Sequence, residues 1–360
     1  MDILFICGSA ELGNDGVGDY TRRLCGTLIR SGHQAQILSL CDQQVDLFTT
    51  ENQLTEGTKV TVHRIPLKSP HDQRLNGLQN VLKNFEPDWI SLQYVPYSFN
   101  AKGLPFWMPS FLKKVKGNHK WHIMFHELWL GIDIESSIRH KCIGRLQQVI
   151  AKKIIRSTKN PAVNTQNKLY QIFLESHNIN AAVLPICSNI PLTAARKETT
   201  EFSQFVLFGS IHAGAPFEDF VFDLVRNSEK FHKPIKFVFI GKNGPELNNY
   251  LTILENYNIY YEVLGKQSEN VISQVLKNSD FGISTTPYYQ TEKSGVYAAY
   301  KEHQINIICV SRQWTPTKGQ YLIPQIIKYE KDKLNINPVN VQAADLHSIA
   351  SQFINSISLV

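Results

Sequence analysis

Residues 13–24 read GNDGVGDYTRRL and follow the apolar run Ile3–Cys7. The run predicts a short buried strand, and beyond the glycines Tyr20, Leu24, Leu28 and Ile29 recur at helical spacing. Gly16 and Gly18 therefore fall in a strand-to-helix turn, where missing side chains let backbone N–H groups approach an anion at a helix N-terminus. In an open parallel sheet such a turn stands at the carboxyl edge, the usual place for a ligand. The alternative is a glycine-rich corner that holds nothing.

The rest of the chain alternates strand-like and helix-like stretches, the pattern of α/β layers over parallel sheets. Strands are expected through Ile37–Leu40, Val60–Ile65, Trp89–Gln93 and His122–Phe125, with a short one near Ala162. Helices are expected over Asn76–Phe85, Ile138–Ser157 and Gln166–Ser176. Between Ser188 and Phe202 the pattern lapses into Asn, Pro, Thr and charged residues, which reads as a linker. A second series begins at Phe205 and continues through Ile235–Ile240, Tyr260–Leu264, Phe281–Ser284 and Ile305–Val310. The expected organisation is two doubly wound, Rossmann-like domains over residues 1–187 and 204–342, a linker over 188–203 and a closing helix over 343–360. A ligand cleft is expected between the carboxyl edges of the two sheets.

With 360 residues, 42% hydrophobic and 19% charged, the chain is globular and long enough for two cores. No apolar run reaches membrane-span length, and no basic leader with a cleavable apolar stretch is present, so a cytoplasmic protein is expected. The 6 cysteines are scattered, without a C-x-x-C pair, and read as buried thiols. A net charge of +6 and a pI near 8.8 suit anionic ligands or an anionic surface.

Dinucleotide binding fits poorly. Thr21 stands where G-x-G-x-x-G needs its third glycine, and Asp42 is only a weak stand-in for the ribose-binding acid. A second glycine-bearing turn, Thr291-Glu292-Lys293-Ser294-Gly295, precedes the helical run Val296–His303. Ser294 and Gly295 would offer first-turn N–H donors, Lys293 a cation suited to a diphosphate, and Glu292 an acceptor for sugar hydroxyls. A capped helix start with solvated charges is the other reading.

GVGDYTRRL with Ser31-Gly32-His33, then FHELW at 125–129, then EKSGVYAAYKEH at 292–303, resembles the retaining GT-B glycosyltransferases of family four. Order and spacing fit across nearly the whole chain. The resemblance implies transfer of a sugar from a nucleoside-diphosphate sugar, UDP- or GDP-linked, to a glycan or lipid-linked acceptor. It further implies retention and no metal or other cofactor. The chain has no D-x-D triplet, and His126-Glu127 is not H-E-x-x-H because Leu130 stands in the fifth position. The resemblance places Gly16 and Gly18 near donor phosphates and acceptor, His126 against the donor sugar, Glu292 on sugar hydroxyls, and Ser294 and Gly295 on the diphosphate.

The pattern departs from the family in two places. Tyr300 occupies the position of the family's second, ribose-holding glutamate, with Glu302 nearby. The family's Arg and Lys after the first strand of the second domain are absent from Gly209–Gly214. Lys242, Lys266 and Lys293 are the candidate substitutes. Fixed cations supply much of the stabilisation of a leaving diphosphate. Their loss motivates a second reading, a catalytically weak relative that binds nucleotide or glycan and supports a partner enzyme.

Residues 138–159 carry Arg139, Lys141, Arg145, Lys152, Lys153, Arg156 and Lys159 beside Val149, Ile150, Ile154 and Ile155, with no acid. The stretch reads either as an interfacial helix on anionic lipid, peripheral on the inner face of the cell membrane, or as a core-packed helix with a solvated basic face. The run Leu104–Leu112, followed by Lys113 and Lys114, has the same character. No recognised nucleic-acid module is present, so nucleic acid is not an expected partner.

Overall fold

The computed structural model describes residues 1–13, 15–192, 200–337, 339–342 and 345–358. They form two compact units. The first comprises Met1–Ile186, Pro316–Gly319 and the segment from Leu346, and the second comprises Cys187–Thr315 and Gln320–Asp345.

The first unit opens with β1 (Asp2–Cys7), α1 (Gly16–Arg30), β2 (Gln34–Asp42), β3 (Thr49–Thr55), β4 (Thr58–Pro66), α2 (His71–Phe85) and β5 (Trp89–Tyr94). It continues with α3 (Pro96–Phe99), α4 (Met108–Lys113), β6 (Lys120–Phe125), α5 (Ile138–Ser157), β7 (Ala162–Thr165), α6 (Lys168–Glu175) and β8 (Ala182–Val183). The sheet order is β3-β4-β2-β1-β5-β6-β7-β8, and β3 alone runs antiparallel to its neighbour. Phe5 on the central strand pairs with Ile37 on one side and Ser91 on the other. Ile3 through Cys7 are all buried, because a parallel strand covered on both faces must be apolar throughout.

The β3–β4 hairpin is absent from the sequence reading. TTENQLT buries only Gln53, so it carries no apolar periodicity. The two-residue turn Glu56-Gly57, with φ of 48° and 77°, is the local signal that marks it. The short α3 and α4 likewise lie in a Pro/Phe/Tyr-rich stretch that reads as loop.

The second unit contains β9 (Ser203–Phe208), α7 (Phe217–Arg226), β10 (Ile235–Ile240), α8 (Leu247–Asn256), β11 (Tyr260–Gly265), α9 (Glu269–Asn278), β12 (Phe281–Ser284), α10 (Gly295–Glu302), β13 (Asn306–Cys309) and β14 (Ile326–Lys328). Its six strands run parallel in the order β11-β10-β9-β12-β13-β14. Alternate residues of β9 feed two cores. Phe205 and Leu207 pack with residues of α7 and α8, while Val206 packs with residues of α9 and α10. Phe205 stacks on Phe237 and Phe281 at ring distances of 5.2 and 4.9 Å. This double winding is the Rossmann-like arrangement.

The expected linker, 188–203, includes residues 193–199, which lie outside the described residues. Its last residue, Ser203, opens β9. The closing helix is α11 (Leu346–Ser358), and Ala343, Ala344, Leu359 and Val360 of the expected span lie outside the described residues. The helix belongs to the first unit, where buried Phe353 sits 5.5 Å from the Phe5 ring and 5.0 Å from His122.

Candidate functional site

In the second unit, β9 and β10 are followed by Gly209 and Gly241, with φ of 74° and 91°. A Cβ at Gly241 would sit 3.2 Å from the Gly209 nitrogen, and one at Gly209 would sit 3.3 Å from Cγ2 of Val296. The strand ends and the first turn of α10 thus approach closely, and the positive φ at both positions further disfavours a side chain there. Ser294 precedes α10 in an extended conformation and makes no side-chain cap bond. The first-turn N–H groups have no partner within the helix and carry the positive end of its dipole. Gly295 is exposed, with nothing within 4 Å of the position its Cβ would take.

Two cationic side chains, Lys293 and Arg312, and the imidazole of His212 share this corner. The backbone N–H of His212 donates to Thr285 Oγ1 at 2.9 Å, which holds the segment after β9 to the end of β12. The imidazole of His212 is held below its ordinary value by desolvation, then by the charges of Lys293 and Arg312. Arg312 follows β13 and packs on Gly214, whose Cβ would lie 3.7 Å from its own. Neither His212 nor Arg312 is among the residues singled out from sequence. Their signal is position, since each lies just after a strand at the carboxyl edge, as Lys242 and Lys266 do.

Glu292 lies in the 3-10 turn Tyr288–Lys293 and accepts the Tyr321 hydroxyl at 2.6 Å on Oε2. Burial raises its pKa, against the lowering effects of Tyr321 and Lys301. Lys293, Ser294 and Gly295 continue the same turn. Lys242 stands in the exposed turn after β10, where its carbonyl accepts Ser210 Oγ at 3.5 Å. Lys266 follows β11, the edge strand, three strand positions from β12, or about 14 Å. The topology does not bring Lys266 to the α10 turn.

Tyr300 requires correction as a ligand residue. Tyr300 is 0% exposed, and its hydroxyl donates to Val206 O at 3.0 Å or Ile283 O at 3.2 Å while accepting Phe208 N–H at 3.0 Å. That hydroxyl ties β9 to β12 and leaves nothing for a ribose. Glu302 ends α10, about 10 Å along the axis from Gly295.

In the first unit the glycine turn is built for packing. Asp15 caps α1 by accepting Gly18 N–H at 2.7 Å, and a Cβ at Gly18 would meet Ser9 O at 2.8 Å. Gly18 N–H is therefore committed within the chain, contrary to the expected phosphate contact, and Gly16 is simply the first residue of α1. Asp42 accepts both Nε and Nη2 of Arg64, at 3.0 and 2.9 Å, and Ala10 N–H at 3.1 Å, so it fixes the preceding loop instead of mimicking a ribose acid.

His126 lies at the end of β6, buried and 5.1 Å from the Tyr20 ring. Gln166 Nε2 donates to its Nδ1 at 2.6 Å, and its Nε2–H meets Gln93 Oε1 at 2.7 Å. The bonds continue in one direction: Gln93 to Ser91 at 2.7 Å, Ser91 to His122 at 2.7 Å, and His122 to Asn164 at 2.9 Å. Burial holds His126 down to about 3 and His122 down to about 4, so both rings are neutral at pH 7. Both ring nitrogens of His126 are engaged within the chain, so a contact with a donor sugar there requires Gln93 or Gln166 to give way.

No protein-family model and no curated protein matches the sequence. Solved structures do match in fold. AviGT4, a glycosyltransferase involved in avilamycin A biosynthesis, aligns with a TM-score of 0.53 at 10% identity, over 99% of this chain and 97% of its own. An α-glucosyltransferase in complex with UDP and a 13-mer DNA aligns at 0.52 and 11% identity, over 100% and 90%. The UDP-GlcNAc 2-epimerase of Methanocaldococcus jannaschii aligns at 0.52 and 9% identity, over 100% of both chains. The chain has the GT-B fold of such proteins, with two Rossmann-like parallel-sheet domains. No described helix is long and apolar enough to cross a membrane.

Proposed function

We propose that this chain is a glycosyltransferase moving a hexose from a UDP- or GDP-linked donor to a glycan or lipid-linked acceptor, in polysaccharide or glycoconjugate biosynthesis. The reading rests on one observation: the charges of Lys293 and Arg312 converge on the neutral His212 ring, and Lys293 adjoins the uncapped first turn of α10. Cations and aligned N–H groups there suit a diphosphate and would bind the charge that develops as it leaves. Glu292, one turn away and held by Tyr321, is the proposed acceptor of sugar hydroxyls. The fold likeness to AviGT4 and to the UDP-bound α-glucosyltransferase supports a nucleoside-diphosphate sugar as donor. We assign no metal or further cofactor a role.

The proposed reaction retains configuration. The bond from the sugar C1 to the β-phosphate oxygen breaks, and the acceptor oxygen bonds C1 on the same face. The acceptor proton passes to an oxygen of the departing diphosphate. His126 and His122, neutral and saturated with hydrogen bonds, hold the β5–β7 strand ends in place and take no proton. A second reading, a binder without turnover, is favoured by Gly209–Gly214, which carries no Lys or Arg. Incubation with UDP- and GDP-sugars and a panel of glycan acceptors separates the two. An enzyme releases nucleoside diphosphate in step with an α- or β-product matching the donor, whereas a binder releases none above background.

A further inference from the structure

One face of the first unit, on α4 and α5, carries a surface that the proposed chemistry does not use. α5 buries Gly144, Gln147, Ile150, Ala151 and Ile154. Its opposite face exposes Ile138 at 82%, Leu146 at 44% and Val149 at 48%, in line with Cys142. Phe106, 60% exposed, extends the apolar patch from the segment before α4. A groove of about 440 Å³ runs between α4 and α5, and Phe106, Val149, Lys113, Lys153 and Arg156 line it. A second groove of about 390 Å³ shares Lys113 with it and adds Lys120 and Lys159. No Asp or Glu occurs in residues 89–126 or 136–174, so nothing in either stretch offsets these charges.

We infer that the α4–α5 face docks the protein on a bilayer bearing anionic phosphate headgroups. Charge complementarity and the apolar seam together select this occupant. Lys and Arg attract the headgroups, while Phe106, Ile138, Leu146 and Val149 enter the acyl boundary, as in helices lying in the membrane plane. A nucleic acid satisfies the charges and leaves the apolar seam exposed, and a free phosphate does the same. The 20-residue α5 presents a line of about 30 Å, long enough to lie along a surface. The surface belongs to the first unit alone, so it stands apart from nucleotide binding by the second.

The test uses the full chain labelled at Cys142 with an environment-sensitive fluorophore, the other five thiols being buried. Vesicles of phosphatidylcholine alone and of phosphatidylcholine with phosphatidylglycerol are compared. Binding and a blue shift are expected with the anionic vesicles, weakening as salt rises. The double variants Lys153→Glu with Arg156→Glu, and Phe106→Ser with Val149→Ser, are each expected to reduce partitioning at least about tenfold, with unchanged melting and unchanged UDP titration. Equal binding to both vesicles overturns the inference, as do folded variants that partition like the wild type. Inorganic phosphate that binds while vesicles do not identifies a small-anion groove and also overturns it. Loss of UDP binding in the wild type bears only on the glycosyltransferase reading.

Discussion

The Tyr321 hydroxyl donates to Glu292 Oε2 across 2.6 Å, from a segment 29 residues further along the chain. That bond holds the carboxylate charged inside a turn whose burial favours the neutral acid. It joins the approach to β14 with the turn before α10, so the proposed sugar contact is fixed from two directions.

Replacing Tyr321 with Phe removes the bond and lets burial raise the Glu292 pKa further. The acid limb of the rate profile is expected to move to higher pH, because the ionised form then persists over a narrower range. Glu292→Gln is expected to lower turnover by about 10²-fold and leave nucleotide affinity within a few fold. Steady-state rates against pH, with calorimetric nucleotide binding, check both. An unmoved acid limb in Tyr321→Phe contradicts the assignment of Glu292.

Tyr300→Phe leaves Phe208 N–H without its partner beneath a closed core. The expected cost is about 2 kcal/mol, read by denaturant unfolding, with unchanged nucleotide affinity in the folded protein. Tyr300→Glu, which restores the family residue, is expected to destabilise more severely. A Glu variant that folds normally and binds nucleotide more tightly would show that the position faces ligand after all.

Acid sensitivity follows from the buried histidines. In the fold His126 titrates at about 3 and His122 at about 4, whereas an unfolded histidine titrates near 6.5. Below that unfolded value the unfolded chain binds protons the native chain refuses. The stability is present in full above about pH 6.5 and declines as pH falls towards 4, by up to about 1.4 kcal/mol per pH unit for each ring. Melting curves of the wild type and His126→Asn, taken between about pH 7.5 and 5, are expected to differ in slope by one proton. Parallel curves count against a neutral buried His126.

Arg64 bonds Asp42 through Nε and Nη2, and its Nη2 also meets Glu11. Asp42 has no solvent access, so Arg64→Ala strands a buried carboxylate at an expected cost of about 3–5 kcal/mol. The loop of residues 8–13 is anchored through Asp42 and Arg22, and it is expected to gain hydrogen exchange in the variant. Exchange confined to regions far from that loop refutes the anchoring role.

Much of the fold was legible because buried parallel strands announce themselves. Ile235–Ile240 and Phe281–Ser284 stand as apolar runs with the bounds read from sequence. The β3–β4 hairpin escaped because its strand is polar on both faces, and only its Glu56-Gly57 turn betrays it. The candidate site was legible where local rules build it, in the Glu292–Gly295 turn before a helix. Arg312 and His212 escaped because strand order, which sequence does not reveal, brings their loops together. Tyr300 misled for a related reason. Its position matches a family acid, but its burial against β9 and β12 depends on long-range packing. The turn at Gly18 misled because Asp15, three residues earlier, takes the N–H that a glycine turn otherwise offers a ligand.

Calorimetric titration of UDP, GDP and ADP into the wild type and into Gly295→Trp tests the central claim most directly. Nothing lies within 4 Å of the Gly295 Cβ position, so a side chain can start there without a clash at Cβ, and the indole is expected to crowd the first turn of α10. The account predicts selective binding of one nucleoside diphosphate by the wild type and its loss, by at least about tenfold, in a variant of unchanged melting temperature. Equal affinity in the folded variant, or a wild type that binds none of the three, contradicts the placement of the diphosphate at this turn.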